Sequence, residues 1–270
     1  MELEYGIGAK TDVGMRRANN EDCFALVPQI NLCVLSDGMG GQNAGEVAAK
    51  MTVDTVAGCL RESSNGQKLS FGEPNPQVSE YTNQLASAVR LANRAVWEAG
   101  HKHVHTEGMG ATVVAAWLHN PIMGIAHVGD SRIYLLRDGS LQQLTQDHSL
   151  VMEQVRRGLI TAEEAEHSDM QNIIVRAMGA EESVNVDVDE VLLLPGDHVV
   201  LCSDGLTKMV NNEGIAQIVA ESPSPQQAAD RLVEAANDAG GEDNVTVIVV
   251  RVQQAKPKGF LALLKRLFVE

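Results

Sequence analysis

The sequence shows no cysteine-pair motif, no leader-like pattern in its first residues and no long hydrophobic run. Its four cysteines show no C-x-x-C spacing, and Cys33 and Cys202 lie in apolar strand-like runs, so we expect reduced core thiols. The first residues contain neither a basic region nor an apolar h-region, and no apolar run approaches the roughly 20 residues that span a bilayer. These absences predict a cytoplasmic protein.

The chain also lacks an excess of basic residues. Its 21 Lys and Arg stand against 36 Asp and Glu, which gives a formal net charge of -15 over 270 residues. Surfaces that bind nucleic acid by neutralising phosphates are basic, so the composition predicts no nucleic-acid partner. An anionic substrate would instead have to be attracted locally, by a bound metal ion or a placed arginine.

Hydrophobic residues are plentiful, at 44% of the sequence, which allows a substantial core. The patterning predicts strands at 5–10, 22–27, 31–35, 111–118, 122–128, 132–136, 187–194, 198–202 and 245–252. It predicts helices at 44–61, 79–99, 149–157, 161–166, 212–221 and 225–239. Strands in groups with helices in pairs favour an α+β fold, in which packed sheets are covered by helix pairs.

The composition changes at residue 253, which predicts a domain at 5–252 and a basic amphipathic tail at 253–270. The tail begins with a Lys-Pro-Lys-Gly linker at 256–259, followed by apolar residues at helical spacing beside Lys265 and Arg266. Residues 259–269 are therefore a candidate contact for a membrane surface or a partner. Docking of the tail onto its own domain is the alternative.

Two apolar runs end in the same way, with an aspartate followed by a glycine, at Asp37-Gly38 and Asp204-Gly205. A carboxylate at the end of a buried strand, beside a residue with no side chain, suits a hard metal ion with oxygen ligands. Acids in similar places are Glu21, Asp22, Asp130 and Asp243. Asp-Gly is also a common turn, so no single acid carries the prediction. A two-metal hydrolytic site needs several acids from separate strands, and the set together predicts a metal-dependent hydrolase.

Six short motifs occur in the order seen in one family of enzymes. They are Arg17-Ala18-Asn19-Asn20-Glu21-Asp22, Asp37-Gly38-Met39-Gly40-Gly41, Gly108-Met109-Gly110-Ala111-Thr112, Val128-Gly129-Asp130-Ser131-Arg132, Ser203-Asp204-Gly205-Leu206 and Asp243-Asn244-Val245-Thr246. Over residues 5–252 the chain resembles the PPM family of metal-dependent protein phosphatases, and in particular the bacterial type 2C serine/threonine phosphatases.

The resemblance implies a β-sandwich of two antiparallel sheets flanked by pairs of antiparallel helices, with two to three Mn²⁺ or Mg²⁺ ions in a cleft at one end. It implies that Asp37 bridges two ions and that the Gly38 carbonyl is a neighbouring ligand. The remaining implied metal ligands, some acting through water, are Glu21, Asp22, Asp130, Asp204 and Asp243. Arg17 resembles the phosphate clamp, and its planar fork suits bidentate contact with phosphate oxygens.

The activity implied by the resemblance is hydrolysis of phosphoserine and phosphothreonine in protein substrates. A metal-bound hydroxide would attack phosphorus directly, without a phosphoenzyme. The implied partners are phosphoproteins and the serine/threonine kinase that makes them. The segment 147–184 resembles the variable flap beside the cleft.

One position departs from the family pattern and leaves an alternative open. Bacterial members commonly have a histidine, a candidate general acid, where this chain has Gln42, and an amide cannot donate a proton to a leaving alkoxide near neutral pH. Either a metal-bound water donates the proton instead, or the chain is a weakly active or non-catalytic regulator that binds metal and phosphoproteins. A nucleotide-binding glycine loop is less consistent, because a G-x-G-x-x-G register from Gly38 places Asn43 at the third glycine.

Overall fold

Strands with two apolar faces form the centre of the molecule. The structure is a computed structural model that describes residues 2–40, 44–102, 106, 108–166, 168, 170 and 172–255. Within these ranges the strands are β1 (Leu3–Asp12), β2 (Asp22–Val27), β3 (Leu32–Met39), β4 (Gly110–Ala111), β5 (Val113–His119), β6 (Ile122–Val128), β7 (Arg132–Arg137), β8 (Ser140–Gln143), β9 (Asp187–Leu192), β10 (His198–Cys202) and β11 (Val245–Gln254). The helices are α1 (Ala44–Ser64), α2 (Glu80–Lys102), α3 (Leu150–Arg156), α4 (Ala162–Glu166), α5 (Asp204–Thr207), α6 (Asn212–Glu221) and α7 (Pro225–Asp238).

The strands form two antiparallel sheets. The first has the order β1-β11-β10-β7-β8, and the second has the order β2-β3-β5-β6-β9 with β4 paired to β3. In the first sheet β1 and β11 pair along their whole lengths, from Leu3 opposite Gln254 to Asp12 opposite Val245.

Successive side chains of a strand point to opposite faces of its sheet. Apolar side chains therefore lie on both faces of each sheet, and both faces are covered by other elements. In β11, Val247 and Val249 pack toward α6 and α7, whereas Ile248 and Val250 pack into the core between the sheets. The second sheet is packed in the same way, with its outer face covered by the buried sides of α1 and α2. The four layers confirm the predicted α+β sandwich flanked by helix pairs.

Three local features differ from the sequence-based expectation. The turn at 137–140 indicated a hairpin, but no bounds were predicted for its second strand, β8, which has little apolar alternation. The short helix α5 was not predicted, because it is a single turn that contains a glycine. The strand β3 continues to Met39, since Gly38 pairs with Ala111 of β4. Asp37 therefore lies inside a strand rather than at its end.

No helix within the described ranges combines the length and the apolar character required to cross a membrane. Residues 256–270, which include the predicted contact segment 259–269, lie outside the described residues.

Candidate metal centre

Acidic side chains from separate parts of the chain meet in a cleft of about 470 Å³ at one end of the sandwich. The polar and charged residues that line it are Arg17, Asn19, Glu21, Asp37, Asp130, Asn172, Asp204, Lys208, Asp243 and Asn244, together with the backbone at Gly38. Seven of the eight predicted site residues thus share one cavity. The eighth, Asp22, lies beneath it.

The two sheets bring these acids to the same end of the sandwich, because the acids lie at or within two residues of strand termini. Asp37 on β3 stands opposite Asp22 on β2. In the other sheet, Asp204 begins α5 two residues after the end of β10, and Asp243 lies two residues before the start of β11, the neighbour of β10. The Ser203 hydroxyl donates to Asp22 Oδ2 at 2.8 Å and so joins the two sheets below the cleft.

Two glycines allow the backbone to close tightly around this region. A Cβ added at Gly38 would lie 2.1 Å from the carbonyl oxygen of Gly45, and one at Gly205 would lie 2.0 Å from the carbonyl oxygen of Asn244. Neither contact is possible for a larger residue without movement of the backbone. The Asp-Gly pairs noted in the sequence are therefore required by close backbone approach at both positions.

Burial and mutual repulsion disfavour the simultaneous ionisation of the acids. Burial raises the pKa of Asp22 to about 7, although hydrogen bonds from Thr246 and Ser203 oppose the change. Burial, with the charge of Asp204, also raises the pKa of Asp130 to about 7. The pKa of Asp37 is raised well above its ordinary value by burial and then by the neighbouring aspartates. Such a cluster is stabilised by positive charge.

Two cationic side chains reach this cluster. Arg17 Nη2 lies 3.0 Å from Asp243 Oδ2, and its side chain is 57% exposed. Lys208 Nζ lies 2.5 Å from Asp204 Oδ2 and 3.5 Å from Asp243 Oδ2. Burial lowers the pKa of Lys208, but the charge of Asp204 and the hydrogen bond to it outweigh burial, and the pKa is raised.

The donor set fits divalent cations of the Mg²⁺ and Mn²⁺ kind. One buried carboxylate oxygen on each of Asp22, Asp130 and Asp204 has no hydrogen-bond partner among the described residues. Buried polar atoms are rarely left unpaired, so three in one cluster indicate a ligand. The available side-chain donors are carboxylate oxygens, which are the ligands that hard cations prefer.

Sequence reasoning assigned no role to Asn244, which the structure places in the lining of the cleft. Its Oδ1 accepts from the Glu21 amide at 2.8 Å, and its Nδ2 donates to the carbonyls of Val13 and Asn19 at 2.9 Å each. These bonds hold both ends of the segment that carries Arg17. The partners are more than 220 residues away in sequence, so only the Asp243-Asn244 motif itself could have drawn attention to this residue.

The segment 147–184 contributes Asn172 and Ile174 to the lining of the cleft. Its base is tied to the acid-bearing loop after β6, since the Gly129 amide donates to His148 Nδ1 at 3.0 Å and the His148 amide donates to the Gly129 carbonyl at 2.9 Å.

His127, His148 and Asp187 form a second group that could hold a metal ion, with ligand atoms within 4.8 Å of one another. Arg176 lies between two of its members, with Nη1 2.6 Å from Asp187 Oδ1 and 2.8 Å from His148 Nε2. Burial opposes ionisation of Asp187, but His148 and Arg176 outweigh it and lower its pKa to about 2. The guanidinium thus already supplies the positive charge at this position.

Gln42, where the chain departs from the family pattern, lies outside the described residues.

Comparison with known proteins agrees with the geometry of the cleft. A family model described as Protein phosphatase 2C matches residues 15–236. A relative from Listeria welshimeri, named serine/threonine phosphatase stp, is 37% identical over 244 residues, which cover 89% of this chain and 93% of that protein.

Solved structures give the same result. The Mycobacterium tuberculosis serine/threonine phosphatase PstP/Ppp superimposes with a TM-score of 0.81 at 36% identity, covering 93% of this chain and 99% of that chain. The catalytic domain of a serine/threonine protein phosphatase PstP in complex with two manganese ions superimposes with a TM-score of 0.77 at 37% identity, covering 94% of this chain and 100% of that chain.

Proposed function

The chain belongs to the protein phosphatase 2C family and is a serine/threonine protein phosphatase, and we propose that the acidic cleft is its catalytic centre. The observation that carries the proposal is the convergence of acids from both sheets, with buried carboxylate oxygens that have no partner among the described residues. Since the relatives are named as phosphatases, the alternative of a non-catalytic regulator is not favoured.

We assign metal binding to seven of the predicted residues. The proposed ligands, direct or through water, are Glu21, Asp22, Asp37, the Gly38 carbonyl, Asp130, Asp204 and Asp243. The cofactor is proposed to be two to three Mn²⁺ or Mg²⁺ ions, and support for manganese comes from the related domain that is in complex with two manganese ions. When bound, such ions make water a nucleophile at neutral pH and offset charge on the phosphoryl oxygens.

Arg17 is proposed to hold the phosphate group of the substrate. Its guanidinium is exposed at the mouth of the cleft, and its 3.0 Å contact with Asp243 is a surface ion pair that a phosphate can replace. A bidentate contact would orient the phosphoryl group toward the acids behind it. Asn244 would maintain the position of the loop from which Arg17 extends.

The substrates are phosphoproteins, and a serine/threonine kinase is the proposed source of the phosphate. The flap residues Asn172 and Ile174 lie at the edge of the cleft, where they would contact residues that flank the phosphorylated side chain. We propose a cytoplasmic location, in agreement with cysteines that are unpaired in the structure.

The residues 5–252 are proposed to contain the whole phosphatase activity, and the tail 253–270 a separate contact with a membrane surface or a partner. Deletion of 256–270 should leave hydrolysis of phosphopeptides unchanged and should reduce co-sedimentation with anionic vesicles. Equal sedimentation of both proteins would remove the membrane contact from the proposal.

The catalytic proposal is tested by release of phosphate from phosphothreonine and phosphotyrosine peptides, with Mn²⁺, with Mg²⁺ and with EDTA. Wild type should act on phosphothreonine only when metal is present, and Asp37→Asn should abolish the activity. Asp54→Asn, at an exposed acid on α1, is the matched control and should behave like wild type. An inactive wild type that still binds phosphopeptide would instead support the regulator.

A further inference from the structure

Lys208 places a positive charge inside the acidic cluster. Its amide donates to the Asp204 carbonyl at 2.9 Å, so the two residues lie one helical turn apart at the end of α5. This spacing puts both side chains on the same face. The Lys208 ammonium then lies 2.5 Å from Asp204 Oδ2 and 3.5 Å from Asp243 Oδ2.

The position of Lys208 differs from that of Arg17, the other cation of the cleft. Arg17 is 57% exposed on a loop, whereas 31% of the Lys208 side chain is exposed and its backbone is anchored on a helix. Lys208 contacts one oxygen of Asp204, while the other oxygen is buried without a partner among the described residues. The ammonium therefore offsets the charge of an acid that is a proposed metal ligand.

We propose that Lys208 is a built-in competitor of the divalent cations: its ammonium acts as counter-ion to Asp204 and Asp243 and sets the metal concentration at which the cleft fills. This inference rests on the proposed function, since it takes Asp204 and Asp243 as ligands. The same side chain that stabilises the acids against one another opposes the entry of metal. In this role Lys208 tunes the metal affinity of the cleft.

Electrostatics give the direction and the size of the effect. Even at the dielectric constant of water, a unit charge about 4 to 5 Å from a divalent ion weakens binding by roughly tenfold or more. Removal of the ammonium should therefore tighten Mn²⁺ binding by at least about tenfold. Loss of the hydrogen bond to Asp204 Oδ2 acts in the same direction, because it frees that oxygen for the metal ion.

The test is titration calorimetry with Mn²⁺ alone, on wild type, Lys208→Met, Lys208→Arg and Lys50→Met. Methionine has a similar shape but neither charge nor a strong ligand atom, and Lys208→Met should lower the Kd by at least about tenfold. Lys208→Arg keeps the charge and should stay close to wild type. Lys50 forms a matching pair with Asp54 four residues along α1, at 3.0 Å and away from the cleft, so Lys50→Met should change nothing.

Thermal unfolding supplies a second readout that does not depend on activity. In EDTA, Lys208→Met should melt below wild type because the acids lose their counter-ion, and saturating Mn²⁺ should raise its Tm more than that of wild type. A cooperative transition in EDTA also shows that the variant is folded.

The outcomes separate this inference from the proposed function. Equal or weaker Mn²⁺ binding by Lys208→Met overturns the inference, and weaker binding would mean that Lys208 orients Asp204 for the metal. If wild type binds Mn²⁺, Asp37→Asn does not, and Lys208→Met equals wild type, the proposed function stands and only the competitor is refuted. A wild type that neither binds Mn²⁺ nor hydrolyses phosphopeptide refutes both.

Discussion

Replacement of Asn244 by alanine should loosen the segment that carries Arg17. The Asn244 side chain is 6% exposed and makes three hydrogen bonds of 2.8 to 2.9 Å to that segment. Truncation leaves the Glu21 amide and two carbonyls without this partner. Each such loss typically costs about 1 kcal/mol, or up to about 3 kcal/mol where no water reaches the group.

The cleft beside Asn244 gives water access to some of these groups, so the expected total is about 2–4 kcal/mol. For a domain of this size each kcal/mol lowers the Tm by roughly 2–4 °C, which predicts a fall of about 5–15 °C. Since the segment 13–21 would then move, the KM for a phosphothreonine peptide should rise by about tenfold. The assays are calorimetric unfolding and steady-state kinetics with saturating Mn²⁺.

Asn212→Ala, at an exposed position in the first turn of α6, is the control and should change the stability by less than about 0.5 kcal/mol. If the free energy of unfolding of Asn244→Ala differed from that of wild type by less than about 0.5 kcal/mol, the three hydrogen bonds would not be holding the segment. The account of how the loop is positioned would then be wrong.

Three further perturbations follow from the structure and the sequence. Gly205→Ala should destabilise the fold by more than about 3 kcal/mol, because its Cβ would lie 2.0 Å from the Asn244 carbonyl oxygen. The control is Gly58→Ala in α1, where the Cβ meets nothing within 4 Å, and it should be neutral or stabilising by up to about 1 kcal/mol. Unfolding titrations that gave equal effects for the two variants would contradict this. Because burial raises the pKa of Asp22 to about 7, the folded protein keeps a proton that the unfolded chain releases. The Tm in EDTA should therefore fall as the pH rises from about 5 to about 7.5, and Asp22→Asn should make this fall smaller. The same dependence of Tm on pH in the variant and in wild type would refute this prediction. Gln42→His should raise turnover on phosphopeptides more than on p-nitrophenyl phosphate, whose leaving group needs no proton, and equal gains would show that protonation does not occur at position 42.

The sequence predicts those elements whose formation depends on residues close together in the chain. The strands β3 and β11 are predictable because both of their faces are buried, which leaves apolar runs that end at Asp37 and begin after Asp243. The order of the six motifs then indicated which acids belong together. The family model and the related solved structures confirm the family and the fold.

Contacts between distant segments could not be predicted in this way. The role of Asn244 depends on bonds to residues at the other end of the chain, and no local pattern encodes them. Lys208 reaches Asp204 because α5 forms a single helical turn. That turn could not be predicted from the sequence, because the segment has only four residues and contains a glycine. The spacing Asp204-x-x-x-Lys208 becomes a signal only after that turn is known.

The central claim is that acids distant in sequence hold divalent ions at one end of the sandwich. Diffraction from crystals soaked in Mn²⁺, with data collected at the manganese absorption edge, would locate the ions directly. The account predicts two anomalous peaks roughly 3.5–4 Å apart, shared between Asp37 and the pair Asp204 and Asp243. Peaks at the His127, His148 and Asp187 group alone, or a cleft without manganese in an enzyme that is active with it, would contradict the account.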